Sequence, residues 1–168
     1  MKKAIFSKLW ILALIGVDAL SKMLAMQWVP PLQGYLYPFG GVPIFENFCG
    51  LNFSLNIAVN TGAAWGLFPN HFFLLLALRL CVIGSLMAYL LFFRSSNRAQ
   101  FPLWLIVAGA LGNIIDMFCY GYVIDFFHVQ IGGWSFPIFN IADSCITCGV
   151  ILLLLWPSKH KHRVTDAR

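Results

Sequence analysis

The 168-residue chain is 60% apolar and only 10% charged, against roughly 25% charged residues in an average soluble domain. So few charges cannot coat a water-soluble fold of this length, and a mean hydropathy of +0.80 makes a bilayer the solvent. The net charge of +5 is gathered in short clusters rather than spread over a surface, which argues against nucleic acid as a partner and turns the charge into a reporter of topology.

The first apolar stretch, residues 5–26, follows a Lys-Lys start and imitates a secretory signal peptide. It carries Asp18 and Lys22, ends in no small-residue cleavage site and continues to a full span, so a retained first helix is expected, stopped by Pro30 and Pro31. Residues 27–71 then form a long outer segment rich in Gly, Pro and aromatics. Within it Phe53, Leu55, Ile57 and Val59 alternate with polar or small neighbours, which predicts a strand over 52–59 and a small sheet on the outer face.

Three further spans are expected at 72–93, 101–120 and 138–156, with Pro102, Pro137 and Pro157 at or next to helix ends. Trp10, Trp104 and Trp156 mark one boundary and Trp28 and Trp134 the other. Nine of the eleven Lys and Arg residues lie at 2–8, 94–98 and 159–168, all on one side of a four-span chain. By the positive-inside rule both termini are cytoplasmic. The expectation is an all-α integral membrane protein of four transmembrane helices, one membrane domain over 1–168 with a basic tail after residue 156.

Six charged residues fall in or beside these spans: Asp18, Lys22, Arg79, Asp116, Asp125 and Asp143. Each costs on the order of 2.5–3.5 kcal/mol at a bilayer centre, so each needs a partner or a wet cavity. Counted at 1.5 Å per residue, those inside the spans lie within about 12 Å of the outer helix ends, and Asp125 can fold back to the same level. Gly109, Gly112, Asn113 and Asp116 share one helix face, as do Asn140, Asp143, Ser144 and Thr147. A structural polar seam explains part of this pattern. It leaves four carboxylates facing two cations, and an acid without a counter-charge in a dry site keeps or shares a proton. That is the electrostatic condition of an aspartic protease dyad, in which one carboxyl deprotonates a water and the other protonates the scissile carbonyl. Spacing does not say which two of the four acids pair.

Five ordered motifs carry a resemblance: Asp18-Ala-Leu-Ser-Lys22, Asn60-Thr-Gly-Ala-Ala-Trp-Gly66, Gly109 to Asp116, Gly121-Tyr-Val-Ile-Asp-Phe126 and Phe139-Asn-Ile-Ala-Asp-Ser144. Together they resemble the lipoprotein signal peptidase (signal peptidase II) family of membrane aspartyl proteases. The resemblance implies a catalytic pair of Asp125 and Asp143. It implies support or substrate contacts from Asn113, Asn140, Asp116, Asp18, Lys22, Asn60, Gly62 and Ala142, with residues 60–66 forming an outer element over the substrate. It also implies a short extracytoplasmic helix, no cofactor or metal, and a monomer in the bacterial inner membrane with its site at the outer face. The implied substrate is a diacylglyceryl-modified prolipoprotein, cut N-terminal to the lipid-modified cysteine. Two positions depart from the family pattern: Ala108 where a Gly is usual, and Met117 where an Arg follows the Asp. Arg79 is a candidate to supply the missing charge.

Competing readings have weaker support. Cys145-Ile-Thr-Cys148 suggests a quinone-linked disulfide oxidoreductase, but Cys inside an apolar helix is ordinarily a packing residue. A proton pathway would need acids in the cytoplasmic halves of the spans, which hold none, and the four His form no HExxH zinc motif. His128 is expected to be an interfacial hydrogen-bonding residue, and a disulfide between Cys49 and Cys119 has no support in the pattern.

Overall fold

The computed structural model describes residues 9–30, 41–61, 72–92 and 97–155. In chain order these form helix α1 (Leu9–Trp28), strands β1 (Val42–Phe48) and β2 (Leu51–Asn60), helices α2 (Phe72–Phe92) and α3 (Asn97–Tyr120), strands β3 (Val123–Ile131) and β4 (Trp134–Ser135), and helix α4 (Ile141–Leu155). Three of the helices, α1, α2 and α3, are long and apolar enough to cross a membrane. The fourth apolar helix has 15 residues, about 22 Å at 1.5 Å per residue. The short extracytoplasmic helix has no counterpart among the described residues, and both basic termini and residues 62–71 lie outside them.

Two expected helix boundaries move, each for a local reason. Helix α4 starts at Ile141 rather than Ile138, because the preceding residues join the sheet: Phe139 N donates to Phe127 O at 3.0 Å, and Phe126 N and Phe127 N donate to Phe139 O. Helix α3 starts at Asn97, a turn ahead of its apolar run, so Pro102 lies inside the helix rather than at its end. In the second turn its missing N–H costs one backbone bond.

Polarity runs opposite to that of a soluble protein. Leu12, Phe73, Phe92, Leu154 and Leu155 are exposed on the helix exteriors, whereas Asp18, Lys22, Asn113, Asp116 and Asn140 are buried. In α1 the buried residues Ile11, Asp18, Lys22 and Ala25 fall on one face. Helix α3 is central, packing on α1, α2 and α4. Trp10 in α1 packs on Phe101 in α3 in a tilted pair with ring centroids 5.1 Å apart, so these helices begin at the same end. At the other end Ala25 and Val29 pack on Phe126 of the sheet.

The sheet is antiparallel with order β1-β2-β3-β4. The predicted strand is realised as β2, but its fully buried residues are the polar ones, Ser54 and Asn56, while Val59 is exposed. Strand β2 pairs with β3 from Leu51↔Ile131 to Asn60↔Val123. Between Leu55↔Phe127 and Ala58↔Asp125, Asn56 and Ile57 oppose Phe126 alone, a bulge next to Asp125.

Glycines set the approach of α3 to α4. A Cβ on Gly109 would collide with the Ala142 carbonyl, and one on Gly149 would meet Ile106 Cγ1 at 2.6 Å and Pro102 O at 2.8 Å. Gly84 faces open space. Gly109→Ala is therefore expected to lose about 1–3 kcal/mol of stability and Gly84→Ala none, read as thermal midpoints of the two variants in detergent.

Candidate active site

The site grows from one buried cation. Lys22 is 0% exposed, and its ammonium lies 2.7 Å from Asp18 Oδ2, 2.6 Å from Asp116 Oδ2 and 3.1 Å from Asn113 Oδ1. These contacts match the three N–H donors of a lysine. Each carboxylate passes the connection on. Asp18 Oδ1 accepts from Ala142 N at 2.8 Å, joining α1 to the start of α4. Asp116 Oδ2 also accepts from Ile124 N at 3.2 Å, tying the end of α3 to β3 beside Asp125. Gly112 leaves room for this node, since a Cβ there would stand 2.7 Å from Asp18 Oδ2.

The other two acids are held by amides. Asn113 turns its oxygen to Lys22, so its Nδ2 points to Asp143 Oδ1 at 2.7 Å. Asn140 is the N-cap of α4: its Oδ1 accepts from Asp143 N at 2.8 Å, and Asp143 Oδ2 accepts from Asn140 N at 3.3 Å. This reciprocal pair is a capping box with Asp in place of the usual Glu or Gln, and it puts Asp143 at the positive end of the helix dipole. Asn140 Nδ2 also donates to Asp125 Oδ1 at 2.7 Å, and Asn60 Nδ2 donates to Asp125 Oδ2 at 3.1 Å. All four oxygens of Asp125 and Asp143 thus have an N–H donor.

Both carboxylates line one cavity of about 770 Å³, with Asn60, Arg79, Phe136 and Thr147 among its other walls. Asp125 is 3% exposed. Burial first, and then the charge of Asp143, push its carboxyl up to about 7. Two carboxyls on the wall of one cavity, one of them titrating near neutral pH, can perform general acid–base chemistry.

The structure gathers Asp125, Asp143, Asn60, Asn113 and Asn140 at the cavity and sets Asp18, Lys22 and Asp116 behind them, with Ala142 contributing its backbone N–H. Gly62 lies outside the described residues. His128 is buried between Ser54 Oγ at 3.4 Å and Ser135 Oγ at 2.7 Å, and burial lowers its imidazole. Cys49, Cys81, Cys119, Cys145 and Cys148 are all free thiols, so Cys49 and Cys119 are not joined. Sequence reasoning missed Ser54, Asn56 and Ser135. Ser54 and Asn56 signalled themselves only as polar residues at alternate strand positions, which the apolar alternation masked, and Ser135 carried no signal.

Comparison with known proteins bears on this geometry. The family profile described as signal peptidase (SPase) II matches residues 10–158. The lipoprotein signal peptidase of Chlamydia pneumoniae is 36% identical over 141 residues, 82% of this chain and 82% of that protein. The lipoprotein signal peptidase of Geobacillus thermodenitrificans is 34% identical over 154 residues, 91% and 89% of the two chains. A bacterial membrane enzyme solved by the in meso method at 1.9 Å superimposes with a TM-score of 0.71 at 29% identity, covering 89% of this chain and 90% of that one.

Two stability outcomes follow from the electrostatics. Lys22→Met leaves Asp18 and Asp116 buried together without their cation and is expected to cost about 3–5 kcal/mol, read by thermal unfolding. Asp125→Asn should act the other way. Because the folded carboxyl titrates above its ordinary value of 3.8, the unfolded chain sheds its proton first, and wild-type stability falls as pH rises from there to about 7. The Asn variant lacks that loss, so its melting point should exceed the wild type's at about pH 8 and converge with it at about pH 4.

Proposed function

The chain belongs to the signal peptidase II family, and from that premise we propose that it is an aspartyl endopeptidase whose pair is Asp125 and Asp143. Family membership makes it a peptidase that removes signal peptides from prolipoproteins. The observation that carries the finer reading is that, of four buried or half-buried acids, two are engaged by Lys22 while the other two face one cavity with amide donors on every oxygen.

The two acids share one negative charge and one proton, and their titration belongs to the pair. A water held between them gives a proton to the ionised carboxyl as its oxygen bonds to the scissile carbonyl carbon. The other carboxyl protonates the carbonyl oxygen, giving a neutral gem-diol. As that intermediate collapses, one of its hydroxyls returns a proton to the ionised carboxyl, the C–N bond breaks and the nitrogen takes the proton of the other carboxyl, so a shared proton remains for the next cycle. Asn113 and Asn140 keep the carboxyl planes fixed throughout, which preserves the alignment that general acid–base catalysis requires.

The substrate is a diacylglyceryl-modified prolipoprotein, cut on the N-terminal side of its lipid-modified cysteine. The apolar wall of Val59, Phe136, Pro137, Ile138 and Ile146 supports this reading, because it suits acyl chains and an apolar signal segment. With the pair at the end of the bundle where α1 and α3 finish and α4 begins, and with the basic residues of the sequence preceding α1, joining α2 to α3 and following α4, the site faces the outside of the bacterial inner membrane and both termini are cytoplasmic. A monomer contains every group the mechanism uses.

Purified enzyme, Asp125→Asn and Asp143→Asn are to be incubated with a diacylglyceryl-modified prolipoprotein and signal-peptide release followed by gel shift. Cleavage by the wild type alone is expected, with each variant down by at least about 10²-fold. Cleavage by either folded variant would contradict the pair. The kcat/KM profile should be bell-shaped, because activity needs one carboxyl ionised and one protonated. Its alkaline fall is expected near pH 7, where the buried Asp125 carboxyl loses its proton.

A further inference from the structure

Arg79 is the charged residue of α2, a helix whose other side chains suit lipid. It lines the same cavity as Asp125 and Asp143. Its Nη1 donates to Met117 Sδ at 2.7 Å, so the guanidinium is lodged against the buried face of α3 one residue past Asp116. Its charge interacts with Asp143 first and with Asp125 second.

The second intramembrane cation is already committed. Lys22 directs its donors to Asp18, Asp116 and Asn113, and reaches the catalytic pair through an amide rather than by contact. Arg79 is the basic side chain among the residues that wall the cavity.

We propose that Arg79 is a positioning residue for the aspartate pair: lodged on Met117, its guanidinium supplies the counter-charge that keeps the pair singly ionised at neutral pH. This rests on the reading of Asp125 and Asp143 as the pair. Two carboxyls in a low-dielectric cavity resist giving up even their first proton, and a facing cation reverses that resistance. The other groups bearing on the pair leave this task open. From α1 Lys22 favours ionisation, while Asp18 from α1 and Asp116 from α3 oppose it. From β2 Asn60 is a neutral amide, from β3 His128 is buried between two serines, and from α4 Cys148 lies on the cavity wall. Lys22 is spent on its own three acceptors and stands behind the amides, whereas Arg79 is the cation on the cavity wall itself. An arginine suits the pair because its charge persists at every pH the enzyme meets.

The test compares wild type with Arg79→Gln, Arg79→Met and Arg79→Lys in lipid–detergent micelles. The kcat/KM profile and the thermal midpoint are both followed across pH. Removing a facing cation makes ionisation harder, so both limbs of the bell should move to higher pH by about 1 unit in the Gln and Met variants. The Lys variant should keep the wild-type limbs. The fall of thermal stability with rising pH reads the same ionisation without turnover, and it should move upward by the same amount, which keeps the test decisive if a neutral variant cleaves too slowly to profile.

A purely structural arginine would lower the midpoint at every pH and leave the limbs and the stability fall in place. That result, or a Lys variant shifted as far as the neutral ones, would overturn the proposal. Failure of the underlying reading is separable: cleavage by Asp125→Asn or Asp143→Asn removes the pair itself, whereas two inactive Asn variants with unmoved Arg79 profiles remove only the role of Arg79.

Discussion

A lysine ammonium with no exposure to solvent sets the terms for the rest of this structure. Lys22 cannot stay charged in the interior of a membrane protein unless each of its protons has an acceptor. Asp18, Asp116 and Asn113 are those acceptors, and they come from two helices. The consequence that matters for chemistry is directional. An amide whose oxygen is drawn to a cation must turn its NH2 away, and the NH2 of Asn113 then meets Asp143. Asn113 Oδ1 also accepts from Asn140 Nδ2 at 3.0 Å, and that same nitrogen donates to Asp125. The orientation of both cavity-facing acids follows from the position of one positive charge several bonds away.

Three separate local devices bring those acids to it. Asp143 is delivered by a capping box, so the residue that starts α4 and the residue that serves the site are set by one reciprocal pair of bonds. Asp125 is delivered by β3 opposite a bulge in β2, where Asn56 and Ile57 face Phe126 alone and the extra residue bends β2 locally. The bulge is pinned by a buried chain in which Asn56 Nδ2 donates to Ser54 Oγ at 2.7 Å and Ser54 meets His128. Close approach of α3 to α4 across Gly109, Gly112 and Gly149 then brings the strand and the helix together at one depth.

The helices were legible because an apolar run in lipid has one stable conformation, with every backbone group bonded internally. The conjunction of acids and asparagines was legible for the same reason, since charge in a span demands explanation. Spacing alone could not divide four acids into two pairs. That division depends on which of them Lys22 reaches, and Asp18 is the only one within its own helix turn; Asp116 is brought by the packing of α3 on α1. The start of α4 was misplaced because Ile138 and Phe139 are as apolar as the helix they precede, and it is the bonding of Phe139 to β3 and the cap at Asn140 that set the start after them. The burial of Ser54 and Asn56 was hidden for a related reason: at a lipid boundary the apolar side of a strand is the one free to face outward, so alternation predicts a strand but not which side is in.

In the proposed mechanism Asp125 and Asp143 share a proton over the cavity, whereas Asp18 and Asp116 are bound to Lys22. Infrared spectroscopy of the purified enzyme at neutral pH reads this division through the C=O stretch of protonated carboxyl groups. A single such band is predicted, shifted by deuterium exchange, fading as the pH is raised and absent in Asp125→Asn. It should persist in Asp116→Asn. A spectrum with no protonated carboxyl, or a band that survives Asp125→Asn and vanishes in Asp116→Asn, would contradict the division and with it the electrostatic basis of the site.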